Sequence, residues 1–170
     1  MRAQANNIGL LVNRIAGGPF FIGVAFMFSW ALYAWGDTHN AVLFLAANLT
    51  LITLVGILKI VTNVKRPARR LVDPPLPAFP SGHAAASMFL AFSIPYFTLP
   101  YSTTLAIFFA GAGIILTALI SSGRLVLQVH TKTQVIAGLF LGFLIPALVI
   151  IFHSELLAAL KNFLTLFYTT

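Results

Sequence analysis

Cysteine is absent from this 170-residue sequence, and acidic residues nearly so: Asp37, Asp73 and Glu155 are the whole complement. The first absence excludes disulfides, thiolate metal sites and a thiol nucleophile. The second leaves no carboxylate cluster to hold a catalytic divalent metal. Charge of either sign is scarce, at 8% of residues against about 25% in a soluble domain. An ordinary water-soluble globule is therefore excluded. The charge that remains leans one way, ten Lys and Arg giving a net +7. A basic chain first suggests nucleic acid, but no polar domain carries these residues where a duplex could meet them. Anionic lipid of the membrane, or phosphate, is the better-fitting partner, and nucleic acid is not.

In place of charge the chain has apolar runs. Hydrophobic residues make up 59% of it, and the mean hydropathy is +0.97. A helix of about 20 apolar residues crosses the hydrocarbon core, and five runs approach that length: 18–35, 41–61, 84–99, 103–121 and 133–152. The expected fold class is all-α, a polytopic transmembrane bundle of about five spanning helices forming one domain over residues 1–170. The run following Arg2 and Arg14 is long enough to span, so it reads as an uncleaved first helix rather than a secretory signal. Residues 7–14 read as an interfacial segment or a disordered tail, and 154–170, with Glu155 and Lys161, as interfacial. Trp30, Tyr33, Trp35, Tyr96 and Tyr101 fit interfacial aromatic belts. Gly138-x3-Gly142 and Ala84-Ala85-Ala86-Ser87 supply small residues for close helix packing, within the bundle or at a homodimer interface. Asp37, His39 and Asp73 read as loop residues.

Three segments carry the chemistry: Lys59-x6-Arg66-Pro67, Pro80-Ser81-Gly82-His83 and Arg124-x5-His130. Charges within membrane-spanning sequence are costly and mark function. If the five runs alternate across the bilayer, all three segments emerge on one membrane face. On a continuing helix, Lys59 and Arg66 share one side, about 10 Å apart, where a point charge and a planar fork bracket a phosphate. The alternative is a snorkelling basic cluster with Lys65, Arg69 and Arg70. Ser81 suits an N-cap, Gly82 lets backbone approach a ligand, and the free amides of a helix N-terminus bind anions. Gln134 lies one turn beyond His130, at the i,i+4 spacing that lets its side chain orient the imidazole. His153 and Glu155 fall on the opposite face.

These segments resemble the signature of the type 2 phosphatidic acid phosphatase superfamily, Lys-x6-Arg-Pro, Pro-Ser-Gly-His and Ser-Arg-x5-His-x3-Asp, over about residues 55–140. The resemblance implies a metal-independent phosphatase needing no cofactor. It implies that Lys59, Arg66, Arg124, Ser81 and Gly82 hold the phosphate. His130 is then the nucleophile, forming a phosphohistidine, and His83 the acid that protonates the leaving group. Two positions depart from the pattern: Gly123 stands where the family has Ser, beside Ser122, and Gln134 replaces the orienting Asp. His130-Thr131-x-x-Gln134-Val135 is similar to the dolichyl-diphosphate phosphatase branch, which makes a polyprenyl diphosphate the preferred substrate. The alternatives are a phosphatidic acid or phosphatidylglycerophosphate phosphatase, a lipid phosphotransferase using the same nucleophile, and an inactive lipid-phosphate binder motivated by Gln134. The positive-inside count, with Arg2, Arg14, Lys65, Arg69, Arg70 and Lys132 on the motif face, points that face to the cytoplasm. The resembled enzymes generally work on the outer face, and the expectation leans extracytoplasmic.

Overall fold

A computed structural model describes residues 18–68 and 76–168, which are helical with no strand among them. The segment 7–14 and the residues Arg2, Arg14, Arg69, Arg70 and Asp73 fall outside the described residues. The helices are α1 (Gly18–Ala34), α2 (Thr38–Thr62), α3 (Gly82–Thr98), α4 (Thr103–Val126), α5 (Lys132–Ile151) and α6 (His153–Tyr168). Three of them, α2, α4 and α5, are long and apolar enough to cross a membrane by themselves. The other two expected spans, α1 and α3, have 17 residues each, at the short end of the spanning range. Outward-facing Leu105, Ile107, Phe108, Ile114, Ile115 and Leu119 on α4 are exposed. An apolar surface of that extent is stable only against lipid, and the protein is an integral membrane protein.

The short α3 is the central post. It packs chiefly on α4 and α5, and nine of its 17 residues are buried, so it needs no broad lipid-facing surface. Small residues bring its neighbours close. A Cβ on Gly113 of α4 would stand 2.8 Å from the Ala91 Cα. One on Gly142 of α5 would stand 2.9 Å from the Ala85 carbonyl carbon. The Gly138-x3-Gly142 stripe is thus packed inside one chain, against Ala84, Ala85 and Met88 of α3 and Ser81 just before it. Phe44 of α2 anchors the core between α1 and α3, its ring 4.9 Å from Phe28, 5.6 Å from Phe89 and 5.7 Å from Phe97.

The end of the bundle opposite the motifs is laced by hydrogen bonds. Asp37 is more than a loop residue: it caps α2, accepting from Asn40 N at 3.2 Å, and also accepts from the Tyr101 hydroxyl at 2.5 Å. Asn40 Oδ1 in turn accepts from His153 Nε2 at 2.8 Å. Three chain reversals are therefore joined at one end. The Trp35 and Tyr101 rings meet there, 4.9 Å apart. Beyond Phe152, α6 turns Leu157 toward the core and exposes Ser154, Glu155, Lys161 and Asn162. That division suits a helix at the interface.

Candidate active site

The expected continuation of α2 as far as Arg66 is not what forms. The helix stops at Thr62, and Asn63 adopts a left-handed conformation (φ 44°) with its N–H bonded to Lys59 O. Asn tolerates this conformation better than other side chains, and Pro67 steers Arg66 away from helical angles. Arg66 is therefore on an irregular segment that folds back over the helix end. Its Nε donates to Leu76 O at 3.0 Å, and its Nη1 donates to Val129 O at 3.0 Å. Lys59 stays on the helix and donates to Pro77 O at 2.7 Å. The two cations are joined through backbone carbonyls of the Pro-rich lead-in, not through a shared helix face.

The second motif opens α3. Ser81 is the N-cap by backbone geometry, yet its hydroxyl makes no capping bond. The group is buried, with no hydrogen-bond partner among the described residues. An unpartnered buried hydroxyl is costly, and it stands at a helix N-terminus, where free amides favour an anion. Gly82 follows, its missing side chain facing Lys59 Cε and Val55. His83 rests edge-on against Phe21 of α1, ring centres 5.9 Å apart. Ser81 N donates to Gln134 O at 3.0 Å, which pins the start of α3 to the start of α5.

The third motif ends α4 and turns into α5. Helix α4 runs five residues past the apolar run, to Val126, and so carries Arg124 in its last turn. Arg124 is buried to 2% exposure and close enough to Arg66 and His83 to act on both electrostatically. The chain then reverses through Gln128, left-handed at φ 54°, which sends Val129 and His130 inward, both buried. Gly123 is buried in the helix, while the neighbouring Ser122 faces outward, so Ser122 does not stand in for the missing family Ser.

His130 is held from both sides. Gln134 Oε1 lies 3.3 Å from its Nδ1, and Arg66 Nη1 lies 3.2 Å from its Nε2. The sequence left open which way round the amide sits. Thr131 resolves it: a capping box places Gln134 N on Thr131 Oγ1 at 3.3 Å and Thr131 N on Gln134 Oε1 at 2.9 Å. An N–H at that distance requires the carbonyl oxygen there. The same oxygen accepts Nδ1–H and leaves Nε2 as the unprotonated nitrogen, its lone pair toward Arg66 Nη1. Burial, then Arg66 and Lys59, hold the imidazole pKa down to about 4, so His130 is neutral at pH 7. Thr131 was absent from the expected site, although Thr-x-x-Gln before an apolar helix is the sequence signature of this cap.

Lys59, Arg66, Gly82, His83 and His130 line one cavity of about 420 Å³. It continues away from them between α1, α2 and α3, past Phe21, Ile22, Leu51, Ile52, Val55 and Gly56. A cationic head thus opens into an apolar groove. Arg124 does not line this cavity, and Ser81 and Gln134 meet it through Gly82 and His130. Asp37 and Glu155 lie at the far end of the bundle.

The family model of the PAP2 superfamily matches residues 40–157. The chain belongs to the PAP2 superfamily. A PAP2-type transmembrane phosphatidylglycerolphosphate phosphatase from Bacillus subtilis has the same fold, with a TM-score of 0.79 at 23% identity, over 88% of this chain and 77% of that one. No curated protein matches. The PAP2 match spans every motif from Lys59 to Gln134, so the family expected from those three segments is the family found. The membrane-embedded phosphatase fold expected from them is also the one observed.

Proposed function

We propose that this protein is a metal-independent lipid phosphatase that removes the terminal phosphate of a polyprenyl diphosphate through a phosphohistidine on His130. The observation that carries the reading is the single cavity joining Lys59, Arg66, His83 and His130 to an apolar groove within the membrane. Cations and the α3 N-terminus bind the phosphoryl oxygens; the groove takes the lipid chain. His130 Nε2 attacks phosphorus, the bond from phosphorus to the bridging oxygen breaks, and His83 delivers its proton to that oxygen. Water then attacks the phosphohistidine, His83 takes the water's proton, and inorganic phosphate leaves with His130 restored. Lys59, Arg66, the Ser81 hydroxyl and the Gly82 amide offset the charge on the equatorial oxygens, and the buried Arg124 adds its positive field from behind them. Arg66 gives up its contact with Nε2 when phosphate arrives, which frees the nucleophile and turns the guanidinium onto the substrate.

The polyprenyl preference rests on Gln134 in its His-Thr-x-x-Gln setting. A second reading, a phosphatidylglycerophosphate phosphatase, is favoured by the activity named for the Bacillus subtilis protein of the same fold. Phosphate release in detergent from a panel of polyprenyl and glycerolipid phosphates, with His130→Ala as control, separates the two. We place the active site on the extracytoplasmic face, as in the resembled enzymes, against the count of basic residues. The cysteine-free chain makes the test simple: a Lys65→Cys variant in intact cells reacts with a membrane-impermeant maleimide if the site is outside, and does not if it is inside.

A further inference from the structure

Asn48 is the one polar side chain in the deep part of the groove. It lies near the middle of α2, on the inward face with Phe44, Leu51, Val55 and Lys59, and is 6% exposed. It lines the cavity together with Leu51, Ile52 and Val55. Its carboxamide makes no hydrogen bond among the described residues. An amide at the centre of a bilayer helix normally turns to a neighbouring helix for a partner, and leaving it without one is costly. This one points instead into the space that opens from the phosphate site. Eleven residues separate it from Lys59, about 16 Å along the helix.

We infer that Asn48 is a specificity residue that reads unsaturation in the substrate's chain, donating its N–H to an alkene of a polyisoprenoid. This rests on the phosphatase reading and narrows its substrate. The depth decides between lipid classes. In a glycerolipid phosphate the ester oxygens sit within a few bonds of the phosphate, beside Lys59 and far above Asn48; below them a saturated acyl chain offers nothing to an amide, and an unsaturated one offers an alkene at one fixed depth only. A polyisoprenoid carries an alkene in every unit, so one always falls at this depth whatever the seating of the head. An N–H resting on a π cloud is a weak bond in water, but it strengthens where solvent is excluded and no better acceptor competes. Occupied by a saturated chain, the groove leaves the amide unpartnered. Asn48 thus discriminates without touching the chemistry.

The test is a competition in one detergent vial between geranylgeranyl diphosphate and its fully saturated counterpart, followed by product ratio. Chain length and apolar area are matched, so the ratio isolates the alkenes. The wild-type protein prefers the unsaturated chain by about two- to fivefold in kcat/KM. Asn48→Leu and Asn48→Met, which keep the volume and remove the donor, bring the ratio to about one, and the change lies in KM rather than kcat. The one-unit pair, dimethylallyl and isopentyl diphosphate, ends far short of Asn48, and its ratio is the same in all three proteins. An unaltered geranylgeranyl ratio in both variants, with prenyl diphosphates still hydrolysed, overturns the role of Asn48 and leaves the phosphatase reading standing. Hydrolysis of glycerolipid phosphates with no turnover of any prenyl diphosphate removes the substrate class, and this inference with it.

Discussion

Substituting Gly138 tests whether the site depends on the close approach of α3 and α5. A methyl group at Gly138 meets the Ser81 carbonyl oxygen well inside contact distance, and stands 3.2 Å from the Ser81 carbonyl carbon and 3.3 Å from the Ala84 Cβ. Carbon pairs rest at about 3.5–4.0 Å, and the obstacle is backbone, which has no rotamer to change. The two helices must therefore part locally by about 0.5–1 Å. That movement stretches the 3.0 Å bond from Ser81 N to Gln134 O, and shifts Ser81, Gly82 and His83 away from His130. A displacement of this order costs up to about 10²-fold in rate. Stability suffers less, since overpacking costs about 1–3 kcal/mol and Ala returns about 1 kcal/mol in helix propensity. Gly138→Ala is therefore expected to remain folded in detergent, with Tm lowered by a few degrees, while kcat/KM falls ten- to a hundredfold. Gly23→Ala, on an exposed position of α1 where a Cβ meets nothing within 4 Å, is the control and keeps its turnover. Wild-type kcat/KM in a folded Gly138→Ala protein would refute the idea that this helix contact sets the site's geometry.

Gln134→Leu removes the acceptor shared by Thr131 N and His130 Nδ1 and is expected to lower kcat at least about tenfold through loss of the productive tautomer, whereas Gln134→Asp, measured in the same assay, retains activity because a carboxylate accepts both donors. The His130 pKa held at about 4 lies below the ordinary value near 6.5, so its native form stays neutral as the unfolded chain takes up a proton. Its contribution to stability is complete above about pH 6.5 and is lost as pH falls from there toward 4. In ¹⁵N-histidine spectra the resonance missing from His130→Asn is expected to titrate near pH 4, and a midpoint near 6.5 contradicts the burial argument. Turnover is expected to survive EDTA and to be blocked by vanadate, a five-coordinate phosphoryl mimic; complete loss in EDTA that Mg²⁺ restores contradicts the metal-independent reading.

The convergence of the three motifs was legible in the sequence because two physical rules sufficed: apolar run length gave the crossings, and alternation of crossings gave the shared face. Side-chain detail was legible only where a local rule fixes it. The i,i+4 pairing of His130 with Gln134 is of that kind, and so is the capping box that Thr131 completes, though the box went unread because attention lay on the imidazole. The departure of Arg66 from α2 was not legible. A left-handed Asn63 competes on nearly equal terms with helix continuation, and the tertiary hydrogen bonds to Leu76 O and Val129 O tip the balance. The central position of α3 was hidden too, since a short helix of Ala, Ser and Phe reads much like its lipid-facing neighbours. Asn48 drew no notice for a similar reason: a lone amide in an apolar run gains meaning only when the groove it faces is seen.

The most direct measurement of the central claim is covalent trapping. The protein is mixed with a polyprenyl diphosphate labelled in its terminal phosphate, quenched in alkali, where phosphohistidine survives, and mapped by mass spectrometry. The account predicts label on His130, formed within the first turnover and absent from His130→Ala, which also releases almost no phosphate. Steady phosphate release from His130→Ala, or a label mapped to any other residue, contradicts it.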